Sequence, residues 1–284
     1  MLKTNQMTQH FATSAPTLTV FVEGIGLLGP GLSGWNQSRA QLQGSMPYQT
    51  ARSILPLPMA LPPAERRRAG AVVRVSLAIG QEAVTASGLQ ASLLPSVFSS
   101  SSGDAINCHE ICSALASSDR LISPTRFHNS VHNASSGYWS ISSASMASSS
   151  VLCAHDASFS AGLLEAMTQV AVEQTAVLLI AYDTDYPEPL RSVRPLPDTF
   201  GIALVLAPRG SERSLARWSL APATCFSSTA ADGLADAALE QLRKSIPAAR
   251  GLPLLRSVAL QGQGEVVLDY LENLQLAVQV APCR

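Results

Sequence analysis

The sequence predicts an α/β protein, and three apolar segments carry that prediction. Runs of strand length occupy residues 17–22, 177–182 and 200–207, and such runs are typical of buried strands. The second run closely follows residues 157–174, where apolar side chains recur at helical spacing. A helix that leads into a buried strand is a basic unit of α/β folds.

The composition predicts one globular unit. The chain has 284 residues, of which 46% are hydrophobic and 14% are charged, so it can bury a large core. We expect a loose N-terminal arm over residues 1–16 and a single domain over residues 17–284. The net charge of −1 and the absence of a dense basic cluster beyond Arg66–Arg68 argue against nucleic acid or an anionic membrane as a partner.

The chain also lacks the sequence signals of membrane insertion and export. No apolar run is long enough to span a bilayer, and residues 1–16 lack the apolar centre of a signal peptide. We therefore expect a cytoplasmic protein.

The cysteines are predicted to be reduced thiols, because they are odd in number and widely scattered. The five are Cys108, Cys112, Cys153, Cys225 and Cys283. Cys108 and Cys112 lie one turn apart on a predicted helix, Ala105–Ala116, and could supply half of a zinc site. No second pair with metal-ligand spacing follows, so we interpret them as small buried thiols and predict no metal.

Further elements follow from local patterns. Residues 64–86 are predicted to form one helix with the three arginines in its first turn, where the helix dipole disfavours cations. Residues 93–102 predict a short strand and a serine-glycine loop. A strand over 217–220 would continue or pair with the strand at 200–207. Residues 234–245 predict a helix that Pro247 stops, and residues 265–281 are compatible with either strand or helix.

Two motifs resemble functional loops without meeting their requirements. Gly24, Gly26 and Gly29 have the spacing of a dinucleotide-binding loop, which requires a helix opening on the third glycine. Turn residues follow instead, so we predict a strand and a turn. Ser33 lies in a sequence that departs from the nucleophile elbow GxSxG at its last position, Trp35.

Several of these pieces occur together in the order of a known family. They include VFVEGIGLLGPG, PPAERRRAGAVVRVSLAIGQEAV, SVFSSSSGD, VLLIAYD and FGIALVLAP, and they cover roughly residues 17–220. In this combination the chain resembles the N-terminal half of the β-ketoacyl synthases, which implies a thiolase-like fold with a shortened C-terminal half. The stretches FHNSVHNASSGYW and LCAHDASFSAGLLEA are most similar to ketosynthase-like chain length factors of aryl polyene pigment pathways.

The resemblance implies that the catalytic cysteine is missing. A ketosynthase places it at the start of the helix after the central strand, where backbone N–H groups lower the thiol pKa and stabilise an oxyanion. Carrying the family register forward from Asn133 and Gly137 puts Asp156 at that position. We expect Asp156 to act as the helix N-cap without needing a partner. Cys153 lies three residues upstream.

The resemblance also implies that the catalytic histidines are missing. Active ketosynthases use two histidines well after the nucleophile, whereas the histidines here are His10, His109, His128, His132 and His155. Without these groups, a Claisen condensation is not expected. A divergent acyl-transfer or hydrolytic enzyme that uses Asp156 with His155, or Cys153, is the alternative. His128 and His132 could bind a metal if helical, but we favour a hydrogen-bonded interface network.

These inferences predict a non-catalytic partner subunit without a cofactor. The chain would pair with an active β-ketoacyl-ACP synthase as a pseudo-symmetric heterodimer and meet the acyl carrier protein only indirectly; a stand-alone homodimer is a further alternative. By residue match, the tunnel would be gated by Thr125, Arg126 and Phe127. The predicted partner interface comprises His128, Asn129, His132, Asn133, Tyr138 and Trp139.

Overall fold

The computed structural model describes residues 17–221 and 226–283. The predicted arm over residues 1–16 and the thiol of Cys225 lie outside the described residues. The strands are β1 (Leu18–Gly29), β2 (Leu32–Ser33), β3 (Ser96–Ser99), β4 (Ser149–Leu152), β5 (Val177–Asp183), β6 (Phe200–Ala207), β7 (Ala216–Leu220), β8 (Phe226–Ser227), β9 (Gly264–Leu271) and β10 (Leu274–Pro282).

Helices cover both faces of the sheet that these strands form. They are α1 (Trp35–Gln43), α2 (Pro63–Arg68), α3 (Ala71–Ser87), α4 (Ala105–Ala116), α5 (Pro124–His128), α6 (Ala134–Ser143), α7 (Ser158–Glu173), α8 (Leu190–Val193), α9 (Ala237–Ser245) and α10 (Leu252–Ala259). Three short 3₁₀ helices complete the described elements: Ala91–Leu93, the His155 turn (His155–Ala157) and the Pro247 turn (Pro247–Gly251).

The strands form one mixed sheet in the order β4-β3-β5-β6-β1-β7-β10-β8, with β2 on β1 and β9 on β10. β3 runs parallel to both β4 and β5, whereas β6 is antiparallel to both β5 and β1. The strand predicted at 217–220 is β7. It pairs with β1 and β10, so the predicted pairing with the strand at 200–207 is wrong.

The sheet separates two hydrophobic cores, and β5 shows how. Its odd-numbered residues, such as Leu179, pack in the core that contains Phe159 and Met167 of α7. Its even-numbered residues, such as Ile180, pack in the core that contains the apolar face of α3 and Trp139 of α6. Because successive strand residues point to opposite faces, a fully apolar strand is what a sheet covered on both sides requires.

The glycines of β1 bring the sheet into direct contact with α3. A Cβ atom on Gly26 would lie 1.9 Å from the carbonyl oxygen of Ile79, and one on Gly24 would lie 2.1 Å from that of Ala83. β1 continues as a strand through Gly29. The predicted strand is confirmed but extends seven residues beyond residue 22, and the turn follows at residues 30–31. The glycines of the strand allow close packing rather than forming a phosphate loop.

The helix predicted over residues 64–86 is two helices. α2 ends at Arg68 and α3 begins at Ala71, because Ala69 and Gly70 have extended backbone angles. The three arginines therefore lie in the last turn of α2, where the helix dipole favours cations, and their predicted first-turn position is wrong.

The thiols of α4 also differ from expectation. Cys108 and Cys112 are both exposed, so the prediction of buried thiols is wrong. α4 buries only Ala105 and Asn107, because this helix lies at the periphery of the sheet layers. The pKa of Cys108 is raised, mainly because its thiol is partly removed from water and secondly because Cys112 lies beside it.

The segment after residue 221 completes the sheet and one helical layer. The undecided residues 265–281 form the β9–β10 hairpin, and α9 starts at Ala237, three residues later than predicted, with Asp236 as its N-cap. In the described part of the chain, no helix has both the length and the apolar character needed to cross a membrane.

A buried arginine joins α9 to the hairpin. The Arg243 side chain is 8% exposed and forms ion pairs with Glu240, at 2.8 Å, and with Asp269. The hydrogen bond from Arg243 is the largest of the causes that lower the pKa of Glu240 from its ordinary value of 4.5 to about 2. Glu240 therefore stabilises the fold in its ionised form.

The substitution Gly26→Ala tests the contact between β1 and α3. The added methyl group would overlap the backbone of α3, so we expect the free energy of unfolding to fall by about 3 kcal/mol in urea denaturation. Gly137→Ala is the matched control, since a Cβ at Gly137 meets nothing within 4 Å. Equal stability of the two variants would contradict the close approach.

The acid stability of the protein tests the Arg243 cluster. Because the folded pKa of Glu240 lies below the unfolded one, its stabilisation is present above about pH 4.5 and is lost as the pH falls towards 2. We expect Glu240→Gln to lower the free energy of unfolding by about 2 kcal/mol at pH 7 and to flatten its decline between pH 4.5 and 2. The exposed Glu265→Gln control should retain the wild-type pH profile.

Candidate functional site

The candidate site lies where three parallel strands end. The serine-glycine loop follows β3, Cys153 follows β4, and Asp183 is the last residue of β5. Parallel strands bring their carboxyl ends to the same edge of a sheet, which is the usual position of α/β active sites. The predicted nucleophile position, Asp156, lies four residues after the end of β4.

Asp183 anchors the loops around this edge. Its carboxylate is fully buried and accepts hydrogen bonds from the backbone N–H of Ser101 at 2.8 Å, from the Ser101 hydroxyl at 2.6 Å and from the backbone N–H of Ala248 at 2.8 Å. Burial raises the pKa of Asp183, while the hydrogen bonds oppose that shift. The three donors attach the serine-glycine loop and the Pro247 turn to the end of β5.

Asp156 does not cap α7. It lies within the His155 turn, the N-cap position belongs to Ala157, and no side chain caps this helix. His155 has a φ of 51°, and the turn it makes is closed by Ser158, whose hydroxyl accepts from the N–H of Ala154 at 3.0 Å and donates to the carbonyl of His155 at 2.7 Å. The predicted N-cap role is therefore wrong.

Asp156 instead forms ion pairs with two arginines. Arg194 Nη2 lies 2.7 Å from Oδ1, and Arg250 Nη2 lies 3.0 Å from Oδ2. His155 Nδ1 is 3.5 Å from Oδ1, and the Arg194 guanidinium lies over the Tyr186 ring at 5.9 Å. The expectation that Asp156 needs no partner is also wrong, because both carboxylate oxygens are engaged.

The thiol nearest this site is Cys153. Its side chain is exposed and its Sγ donates a hydrogen bond to the carbonyl oxygen of Ser101 at 3.1 Å. The acceptor is a backbone carbonyl and not a side-chain base that could take up the thiol proton. The geometry of Cys153 thus offers no activation by a base.

The two neighbouring histidines do not form the helical pair that a metal site would use. α5 ends at His128, and His132 lies in the turn before α6. Among residues 17–221 and 226–283, no group of three His, Cys, Asp or Glu side chains is arranged to hold a metal ion. Both imidazoles are exposed to solvent.

The predicted gating residues lie on α5, beside a polar cavity. This cavity of about 330 Å³ is lined by Thr125 and Arg126 together with Arg67, Arg68 and Asp104, among others. Arg126 Nη2 is 3.5 Å from Glu110 Oε2. The side chain of Phe127 is 68% exposed and points away from the protein's own core.

The predicted interface residues divide into two groups. His128, His132 and Asn133 are exposed, and Asn129 is partly buried. By contrast, the relative solvent exposure is only 3% for Tyr138 and 2% for Trp139. Since these rings pack in the core against α3, their predicted place at a partner surface is wrong, and only the other four residues remain available.

An unpaired strand edge and exposed apolar side chains adjoin this site. β4 pairs with β3 alone, so its outer edge is free of the other described strands. The region just before it, residues 121–146, exposes five large apolar side chains, which we call the apolar patch: Leu121, Phe127, Val131, Ile141 and Met146. A free edge with apolar side chains nearby is typical of a surface covered by another chain.

Sequence reasoning missed three residues that build the site. Asp183 could have been identified from the sequence, because it is the first charged residue after a fully apolar strand. Arg194 and Arg250 lie 38 and 94 residues from Asp156, and no local pattern connects them.

Comparison with known families agrees with this geometry. The family model for the β-ketoacyl synthase N-terminal domain matches residues 35–252. The chain belongs to the β-ketoacyl synthase N-terminal domain family. No curated protein matches it by sequence.

Solved structures confirm the thiolase-like ketosynthase fold. A chain of the complex between the ketosynthase ApeO and its chain length factor ApeC from Xenorhabdus doucetiae is 21% identical, with a TM-score of 0.68 over 92% of this chain and 99% of that chain. A chain of the ishigamide ketosynthase/chain length factor is 11% identical, with a TM-score of 0.68 over 93% of this chain and 99% of that chain.

A β-ketoacyl synthase from Burkholderia phymatum has a similar fold over part of its length. It is 15% identical with a TM-score of 0.55, and the alignment covers 81% of this chain but 70% of that synthase. In this chain, the described residues after residue 226 include α9, α10 and the β9–β10 hairpin.

Proposed function

We propose that this chain is a non-catalytic ketosynthase-like subunit, a chain length factor, that pairs with an active β-ketoacyl-ACP synthase. It would shape the partner's acyl tunnel in type II polyene or fatty-acid-like biosynthesis, with an aryl polyene pigment as the favoured product. The similar structures named for ketosynthase and chain length factor complexes support this role.

The state of Asp156 is the observation that carries the proposal. Both oxygens of this carboxylate are paired with arginines, so attack on an acyl group would break a charge-assisted hydrogen bond. No histidine follows residue 155 in the sequence, so residues 156–284 supply no counterpart of the imidazoles that a ketosynthase uses for decarboxylation. In the proposed register, the position of the catalytic cysteine would thus be occupied by a residue of a charge cluster.

The free edge of β4 and the apolar patch support a partner. A second ketosynthase-fold subunit can add its own edge strand to β4, so that backbone hydrogen bonds continue the sheet. The apolar patch would then be removed from water at the same interface. The four exposed or partly exposed polar residues, His128, Asn129, His132 and Asn133, would hydrogen-bond around it.

The position of Phe127 supports the gating role. Its ring projects from α5 into solvent, so it can enter a pocket of a partner subunit that covers this face. A bulky aromatic ring there would limit the length of an acyl chain, and a smaller group would extend the tunnel. Thr125 and Arg126 would form its polar rim.

Co-expression with each ketosynthase of its own organism tests the pairing. We expect one of them to co-elute with this chain as a 1:1 complex in size-exclusion chromatography. The substitution Met146→Asp, at a fully exposed apolar residue of the patch, should weaken that complex at least about tenfold, because a charge would be buried in the interface.

Leu271→Asp is the matched control for that experiment. Leu271 is also exposed, but it lies on β9, at the other end of the sheet from β4, and its substitution should leave the complex intact. The absence of any co-eluting ketosynthase would refute the pairing. A stoichiometric acyl adduct on Asp156 or Cys153 after incubation with acyl carrier protein substrates, measured by intact mass, would support the enzymatic alternative instead.

Product length tests the gating role. In the reconstituted complex we expect Phe127→Ala to shift the products towards longer chains, since the removed ring opens the tunnel, with Arg126→Ala producing a smaller shift. Product masses from liquid chromatography and mass spectrometry measure the change, and Leu271→Ala serves as the control. An unchanged product length in both α5 variants would rule out gating by this helix.

A further inference from the structure

The ion-pair cluster at the nucleophile position has the geometry of an occupied binding site. Arg194 follows α8 and Arg250 lies in the Pro247 turn, so two separate segments bring a guanidinium to the same place. Each donates to a different oxygen of the Asp156 carboxylate, at 2.7 and 3.0 Å. This is the way in which a pair of arginines holds a carboxylate ligand.

The two guanidinium groups need an anion between them. Neither Arg194 nor Arg250 forms another ion pair within the described residues. Asp183 attracts Arg194 at longer range, but its own oxygens are taken up by Ser101 and Ala248. Without the carboxylate of Asp156, two like charges would face each other with little compensation.

The cluster is also open to solvent. The side-chain exposures are 45% for Asp156, 22% for Arg194 and 19% for Arg250. A small anion can therefore reach both arginines if the carboxylate is absent, while their partial burial reduces screening by water and salt.

We infer that Arg194 and Arg250 form a binding site for small carboxylates, and that Asp156 is the tethered ligand that fills it. Because the ligand is part of the chain, its effective concentration at the site exceeds that of free acids. Carboxylate-bearing molecules are thereby kept out of this position. The inference concerns this chain alone and does not depend on the proposed pairing with a ketosynthase.

Replacement of the tethered ligand tests the inference. We expect Asp156→Ala to lower the melting temperature by about 3 °C, and sodium acetate to restore most of that loss with half-saturation on the order of 10 mM, as for an ion held by two charge-assisted hydrogen bonds. Sodium chloride at the same ionic strength gives the correction for general salt effects. The wild-type protein should show no acetate-specific shift.

Two variants separate occupation of the site from other effects of acetate. Asp156→Asn keeps the space filled but removes the charge, so it should be destabilised without being rescued by acetate. Combining Asp156→Ala with Arg194→Gln and Arg250→Gln removes the site and should also abolish the rescue. The inference is overturned if acetate stabilises Asp156→Ala no more than it stabilises Asp156→Asn or the wild type.

Asp156→Ser provides a second test in case the alanine variant does not fold. The serine hydroxyl can hydrogen-bond within the turn, and its side chain leaves nearly as much space for acetate as alanine does. We therefore expect the same acetate-specific rise in melting temperature. Isothermal titration of this variant with acetate measures binding directly. Absence of binding at 100-fold above the expected half-saturation would equally overturn the inference.

Discussion

The arrangement of the candidate site depends on the buried carboxylate of Asp183. It lies at the end of a fully apolar strand and accepts hydrogen bonds from the serine-glycine loop and from Ala248 in the Pro247 turn. A buried carboxylate without such donors would be very costly, so both segments are bound to it. The Pro247 turn in turn carries Arg250, which holds Asp156.

This chain of contacts explains how the fold accommodates the charge cluster around Asp156. Asp156 sits in a turn after β4, and its two arginines come from segments that the sheet edge and Asp183 already hold in place. The carboxylate then contributes to stability by joining three loops, whereas a catalytic thiol would have to remain unpaired and reactive. The geometry of Asp156 therefore favours a structural role for this carboxylate.

The parts of the molecule that sequence patterns predicted are those governed by local rules. The sequence correctly predicted the apolar runs of β5 and β6, the helical spacing in α7 and the bounds of α4. Burial on one or both faces of an element produces a regular pattern of apolar residues in the sequence. The break between α2 and α3 was missed, since Ala69 and Gly70 are compatible with a helix. The exposure of Cys108 and Cys112 was missed because a helix pattern does not say what packs against it.

The sequence by itself determined that residue 156 is an aspartate and that no histidine lies between residues 156 and 284. Only the tertiary structure decided what Asp156 does. Its partners Arg194 and Arg250 lie 38 and 94 residues away in the chain, and both reach its carboxylate in the folded protein. Capping is a local interaction that a sequence can suggest, whereas an ion pair across three loops exists only once the sheet has brought those loops together.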